Sequence, residues 1–349
     1  MTPAWTERWV DIEQAAAAGM PHLPRPGVRL WSEGLGDPGQ PVVLLVMGAM
    51  NQGIVWPDAF CTEIASAGFC VVRYDHRDTG LSPALPYTLP YAMQPYGLTE
   101  LAADARAVAQ AWAGKRPVHW IGMSMGGVLA QMAALDLAGP GSSTHSATHS
   151  SIHSSIHVAS LTLMMTTPDL SVPARATTGM PQFPSSPLPL PLPAYLDYLS
   201  RSARDNSHTP AAVLDKMVDG WRAANGTAEG FDEAQTRALM QRTLERTTQP
   251  LGALNHVAAT LSAHDLSAAL GQLHIPTLVI HGADDPLVPP AHGEALVRAI
   301  PGAALLRVPG MGHMFDTRHL AYVTPQIILH LQNALRAAFA DTAHREHPL

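Results

Sequence analysis

Val118-His119-Trp120-Ile121-Gly122-Met123-Ser124-Met125-Gly126-Gly127 is the stretch that decides the fold. A mostly apolar run, Val118 to Gly122, leads straight into G-x-S-x-G, and a helical pattern follows from Gly127 to Leu137. A serine at so sharp a strand-to-helix turn takes a strained backbone conformation, so the residues two before and two after it must be small. Gly122 and Gly126 meet that demand. The turn lifts the Ser124 hydroxyl off the sheet, and the helix N-terminus behind it offers oriented N–H groups and a dipole that favours developing negative charge. Ser124 is therefore the candidate nucleophile.

Outward from this turn the chain alternates short Val, Ile and Leu-rich runs with longer amphipathic stretches, the pattern of strands joined by helices in a parallel sheet. The expected strands are Val28 to Trp31, Val42 to Met47, Cys70 to Tyr74, Val118 to Gly122, Ser160 to Met164, Thr277 to His281 and Ala304 to Val308. The expected helices are Asp58 to Ala67, Leu98 to Ala113, Gly127 to Leu137, Ala291 to Ala299 and Thr324 to Ala340. Together they predict a doubly wound, mostly parallel α/β sheet. The rhythm stops after Met165, where a Pro-rich stretch (Pro181 to Pro193) and polar helical sequence read as an inserted cap. The expected organisation is an N-terminal extension (1–27), a first core part (28–165), a cap (166–250) and a second core part (251–349).

Composition narrows the function classes. The 349 residues are 46% hydrophobic and 14% charged, which suits a large core and argues against a disordered chain. A formal charge of -7 leaves no basic surplus for nucleic acid or anionic lipid. The first residues lack the basic and apolar regions of an export signal, and no run of about 18 apolar residues occurs, so a cytoplasmic protein without a membrane span is expected. Cys61 and Cys70, the two cysteines, are too few for a disulfide framework.

A serine hydroxyl needs a histidine to take its proton, and that histidine needs a carboxylate to hold its tautomer. Eighteen histidines compete for the part. In a strand-turn-helix setting like this one the acid and then the base come later in the chain, each on a loop after a strand. Thr277-Leu278-Val279-Ile280-His281-Gly282-Ala283-Asp284-Asp285-Pro286 ends in an acidic turn, where Asp284 and Asp285 compete and Asp285 is preferred. The next strand ends in Pro309-Gly310-Met311-Gly312-His313, which gives His313 a loop flanked by glycine and makes it the candidate base. His292, His319 and His330 read as packed or solvated, and His344 and His347 as part of the tail.

Two N–H donors should face the oxygen of a tetrahedral intermediate. Met125, following the nucleophile, offers one, and the loop Gly48-Ala49-Met50-Asn51 offers the other, with Ala49 chosen. Trp56 and Met50 are the candidate substrate-lining residues, in surroundings rich in methionine that suggest an adaptable apolar pocket. The repeat Thr144 to His157 sets His145, His149, His153 and His157 four apart. No Asp, Glu or Cys accompanies them, so a surface loop is expected there and no metal site.

Val46-Met47-Gly48-Ala49, Trp56-Pro57, Arg73-Tyr74-Asp75-His76-Arg77-Asp78-Thr79-Gly80, Gly122-Met123-Ser124-Met125-Gly126 and Pro309-Gly310-Met311-Gly312-His313 resemble the bacterial aclacinomycin methylesterase group of α/β hydrolases. The likeness spans residues 28–165 and 270–335. It implies the α/β-hydrolase fold with an inserted helical cap and a triad of Ser124, Asp285 and His313. It further implies an oxyanion hole from Ala49 and Met125, no cofactor, and hydrolysis of an ester on a bulky small-molecule substrate. The Asp-Pro-x-x-Pro setting of Asp285 is part of that likeness. The chain departs from the group at Ala49, where a second glycine is usual, and in its His-rich loop and Pro-rich cap entry. The Asp75-His76-Arg77-Asp78 loop is expected to pin neighbouring loops rather than to react. A perhydrolase, lactonase, carbon-carbon bond hydrolase or acyltransferase would use the same triad. A non-catalytic binding protein is disfavoured by so complete a set. Epoxide hydrolase and dehalogenase chemistry would need an Asp where Ser124 stands.

Overall fold

The computed structural model describes residues 4–12, 28–85, 95–137, 158–183, 186–207, 209–226, 230–249 and 251–346. The His-rich repeat and His347 lie outside them. Eight strands form one sheet: β1 (Trp5–Ile12), β2 (Val28–Leu35), β3 (Val42–Val46), β4 (Cys70–Tyr74), β5 (Val118–Met123), β6 (Val158–Met164), β7 (Thr277–Gly282) and β8 (Ala304–Val308). Their order is β1-β2-β4-β3-β5-β6-β7-β8. From β4 to β8 every neighbour is parallel, whereas β1 and β2 are antiparallel additions at one edge.

Helices α1 (Asp58–Ser66), α2 (Leu98–Ala113) and α3 (Met125–Leu137) connect the first strands. Between β6 and β7 come α4 (Ser171–Thr177), α5 (Pro193–Arg204), α6 (Pro210–Ala224), α7 (Glu233–Arg246), α8 (Leu254–Thr260) and α9 (Ser267–Leu270), which contain the inserted helical cap. The chain closes with α10 (Ala291–Ala299) and α11 (Leu320–Glu346). No helix among the described residues is long and apolar enough to cross a membrane.

Period-two alternation sends side chains to two cores. Val42, Leu44 and Val46 of β3 pack with Leu101, Ala105 and Val108 of α2 and Leu129 of α3. Val43 and Leu45 face the other way, onto Phe60 and Ile64 of α1 and Val323, Ile327 and Leu331 of α11. The spacing of four and three in α2, and of four in α1 and α11, is what turns one apolar stripe of each inward. All five β3 side chains are buried. Each such leucine or valine withdrawn from water contributes about 1.5–3 kcal/mol.

β2 runs four residues past Trp31, α3 begins two residues before Gly127 and α11 runs six past Ala340, and two further differences bear on the architecture. The N-terminal 27 residues supply a full sheet strand, β1, whose pairing with β2 runs from Trp5↔Leu35 to Ile12↔Val28. Most β1 side chains are exposed, so its apolar signal was too thin to mark it as a strand. Helix α11 begins at Leu320, not Thr324: Thr324-Pro325 looks like a helix start, but the apolar spacing Leu320, Val323, Ile327 carries the helix through Pro325.

The central consequence is positional. The carboxyl ends of parallel strands open on one side of the sheet, where such folds place their ligands. Register sets Val46 of β3 beside Gly122 of β5, and Gly282 of β7 beside Val308 of β8. The loops holding Ala49, Ser124, Asp285 and His313 therefore leave the sheet on that same side.

Candidate active site

Ser124 has φ +54°, inside the left-handed region. The cost of that conformation is of order 1–3 kcal/mol, and close packing enforces it. A Cβ on Gly122 would lie 2.3 Å from the Gly126 carbonyl oxygen, and one on Gly126 would lie 2.1 Å from that of Val46. Ser124 N–H donates to Met164 O (2.9 Å), and the Thr166 hydroxyl donates to Ser124 O (2.7 Å). The elbow is thus tied to β6 on one flank while its hydroxyl stays half-buried and accessible.

His313 brings its Nε2 to 3.0 Å from Ser124 Oγ and its Nδ1 to 2.8 Å from Asp285 Oδ2. The second Asp285 oxygen accepts the N–H groups of Leu287 (3.0 Å) and Val288 (2.8 Å). Burial alone would raise the Asp285 pKa, but the facing His313 and His281 and the hydrogen bonds outweigh it and hold the carboxyl at about 2. His281 Nε2 sits 3.5 Å from Asp285 Oδ2 and donates to Val288 O at 2.7 Å, so it braces the acid's loop. Asp284 is only half-buried and is anchored through its backbone, N–H to Met311 O at 3.0 Å.

The cap reaches His313 itself. His313 N–H donates to Ala224 O, in the last turn of α6, at 2.8 Å. A Cβ on Gly312 would lie 2.5 Å from the Asn225 carbonyl, so the α6 end and the His313 loop are in direct backbone contact.

Gly48 lies against the elbow: a Cβ there would be 3.2 Å from Ser124 Cβ. Next to it the Ala49 N–H is on the same loop, and Met125 is the first residue of α3, whose N–H has no intrahelical acceptor. Met50 has φ +66° and a side chain 46% exposed.

Trp56 stands elsewhere than expected. It is 1% exposed, stacked on Phe60 at 5.7 Å and edge-on to Phe315 at 6.3 Å, so it is a core residue and not a pocket wall. Its place one turn before Phe60 at the start of α1 is what draws it inward. A cavity of about 850 Å³ opens instead between α5, α6 and the turn after β7, lined among others by Tyr195, Tyr198, Arg201, Arg222, Asp284 and Asp285. Ser124 and His313 are not among its walls, so it meets the site from behind the carboxylate.

Beneath the site the Asp75-His76-Arg77-Asp78 loop ties neighbouring segments together. Asp75 accepts Gly53 N–H (2.8 Å), Leu81 N–H (3.0 Å) and Arg246 of α7 (2.8 Å). Arg77 makes a two-pronged pair with Asp104 at 2.7 and 2.6 Å, and Asp78 takes Tyr96 OH and Asn255 Nδ2. His76 donates to Met47 O at 2.9 Å. His292 and His330 are likewise packed, each donating to a backbone carbonyl, of Pro189 and Leu161.

Burial pushes His76 down to about 4, and burial with the neighbouring His76 pushes His256 down to about 3. Both rings are therefore neutral in the fold at pH values where the unfolded chain, near 6.5, binds protons. Their contribution to stability is full above pH 6.5 and is lost as pH falls toward 4 and 3. Each costs about 1.4 kcal/mol per pH unit in that window. Burial raises Asp75, Asp78 and Asp104, which opposes the loss at the acidic end. Urea unfolding at pH 6.5 and pH 5 is expected to differ by about 3 kcal/mol from these two rings, with the lower stability at pH 5. Equal stabilities would contradict the burial of both as neutral groups.

Comparison with known proteins follows this geometry. The family described as alpha/beta hydrolase fold matches residues 41–315. Rhodomycin D methylesterase DnrP of Streptomyces peucetius is 34% identical over 291 residues, 82% of this chain and 89% of that protein. The structure is also similar to 2-hydroxy-6-oxo-6-phenylhexa-2,4-dienoate hydrolase of Rhodococcus sp. strain RHA1, with TM-score 0.63, 17% identity, and coverage of 94% and 100% of the two chains. A thermophilic esterase of Thermogutta terrifontis gives TM-score 0.62 and 20% identity, covering 94% and 99%.

Proposed function

The chain belongs to the α/β-hydrolase fold family and is a carboxylic ester hydrolase, and from that premise we propose that Ser124, His313 and Asp285 cleave the ester through an acyl-enzyme. The observation that carries this reading is the continuous hydrogen-bonded line from Ser124 Oγ through both His313 nitrogens to Asp285 Oδ2, at 3.0 and 2.8 Å.

In the proposed cycle His313 Nε2 takes the Ser124 proton as Oγ attacks the carbonyl carbon. Asp285, ionised down to about pH 2, stabilises the imidazolium and keeps Nδ1 protonated. The Ala49 and Met125 N–H groups receive the negative oxygen, each worth about 2.7–4 kcal/mol of barrier. The imidazolium then protonates the departing alkoxide. Water, losing its proton to His313, attacks the acyl-enzyme carbonyl, and His313 then returns that proton to the departing Ser124 Oγ, which frees the acid and restores the hydroxyl.

Similarity to a methylesterase supports a methyl ester as substrate, with the bulk on the acid side and methanol as the leaving alcohol. A half-exposed Met50 on the oxyanion loop supports an apolar acyl group. Turnover of paired esters tests this: methyl esters of polycyclic or branched acids should exceed bulky-alcohol esters of acetate by about tenfold or more in kcat/KM, a span a fitted apolar pocket provides. The reverse order would place the bulk on the alcohol side and overturn the methyl-ester assignment.

A further inference from the structure

We propose that His256 is a positioning residue: it fixes the Ala49–Met50 peptide and with it the adjoining Gly48–Ala49 peptide, whose Gly48 O accepts Asn51 N–H at 3.4 Å and whose Ala49 N–H thereby stays turned to the substrate oxygen; this rests on the oxyanion role given to Ala49 above. Met50 is a non-glycine residue at φ +66°, a conformation that persists only where the surroundings over-determine it. Its N–H donates to His256 Nδ1 at 2.9 Å, across 206 positions of sequence. The same peptide's carbonyl, Ala49 O, accepts Asn51 Nδ2 at 3.0 Å. Both polar ends of the Ala49–Met50 unit are therefore engaged, and a rotation of that unit would break both bonds.

The donor on Met50 settles the tautomer of His256. Nδ1 has to be the bare nitrogen, so Nε2 carries the proton, and it donates to Arg77 O at 2.8 Å. One ring thus joins the oxyanion loop to the charged turn below it. Arg77 is fixed in turn by its pair with Asp104, and His76, whose ring lies 5.6 Å from that of His256, holds Met47 O at the other end of the loop. The ring is completely buried in α8, and burial keeps it neutral, which preserves Nδ1 as an acceptor. No other side chain supplies an acceptor to the Met50 N–H among the described residues.

Two substitutions separate the two ring contacts. In H256N the amide oxygen falls where Nδ1 was and still accepts from Met50, but the bond to Arg77 is lost. In H256Q the amide nitrogen falls where Nε2 was and still donates to Arg77, but the Met50 bond is lost. Loss of an aligned oxyanion donor costs about 10²–10³ in kcat, and a loosened one correspondingly less. H256A and H256Q are expected to lower kcat on a p-nitrophenyl ester by about 10- to 100-fold with KM within about threefold. H256N is expected to stay within about threefold of the parent in kcat. Hydrogen exchange of the Met50 amide should speed up in H256A and H256Q and remain slow in H256N.

Equal losses in H256N and H256Q would show that the ring only fills space, and kcat within twofold of the parent in H256A and H256Q would remove the positioning role. The exchange measurement does not depend on turnover. If the parent hydrolysed no ester, the functional reading would fall, while unchanged Met50 exchange in H256Q would overturn the clamp by itself.

Discussion

Ser124→Ala is expected to reduce kcat/KM for p-nitrophenyl esters by about 10⁴- to 10⁶-fold, because a triad that acts as a unit loses nearly all of its advantage with its nucleophile. The fold should survive the change. Alanine differs from serine by the hydroxyl alone, and among the described residues the only partner of that hydroxyl is His313 Nε2 at 3.0 Å. The elbow itself is held by main-chain contacts, Ser124 N–H to Met164 O and Thr166 Oγ1 to Ser124 O, which the substitution leaves in place. The thermal midpoint should therefore stay within a few degrees, the shift that about 1 kcal/mol produces in a chain of this size. A folded variant that hydrolyses esters as fast as the parent would remove Ser124 from the chemistry.

The second large effect separates two adjacent carboxylates. Asp285→Asn should cost about 10⁴-fold in kcat, because an amide in that position no longer holds His313 as the Nδ1–H tautomer. The Asp285 side chain is wholly buried, and both oxygens are occupied: one by His313, the other by the N–H groups of Leu287 and Val288. Asp284→Asn, one residue away, should leave kcat within a few-fold. Its backbone N–H makes the contact with Met311 O, and its half-buried side chain faces the cavity behind the site. Measured side by side on one ester, the two variants decide the acid, and an inverted pattern would move it to Asp284.

Much of this arrangement was legible in the sequence because it is written locally. The elbow needs small residues at Gly122 and Gly126, and Asp285 and His313 follow strands that are themselves apolar runs. Six of the seven expected strands lie within two residues of their observed ends, and β2 alone runs four residues further, through Ser32-Glu33-Gly34-Leu35, where polar residues interrupt the apolar run. What was not legible depends on packing between distant segments. His256 sits in the short apolar helix α8 with no pattern around it, and only the folded chain brings it to Met50. Trp56 reads as a pocket residue in the sequence because it goes with the methionines around the elbow, which suggest an adaptable apolar pocket. Its stacking on Phe60 and edge-on contact with Phe315 depend on where α1 and the His313 loop meet, which only the folded chain brings about. The 850 Å³ cavity is likewise a product of how α5 and α6 lie over the turn after β7.

The bond from His313 N–H to Ala224 O divides the cap into parts with different freedom to diverge. Helix α5 has no buried residue, so most substitutions there cost within about 0.5 kcal/mol and leave His313 undisturbed. Selection for new substrates has latitude in α5. The closing turn of α6 has little, because a change of backbone at Ala224-Asn225 moves His313. A lid transplanted from a relative will keep turnover only if the graft ends short of that turn, or brings a last carbonyl to the same place.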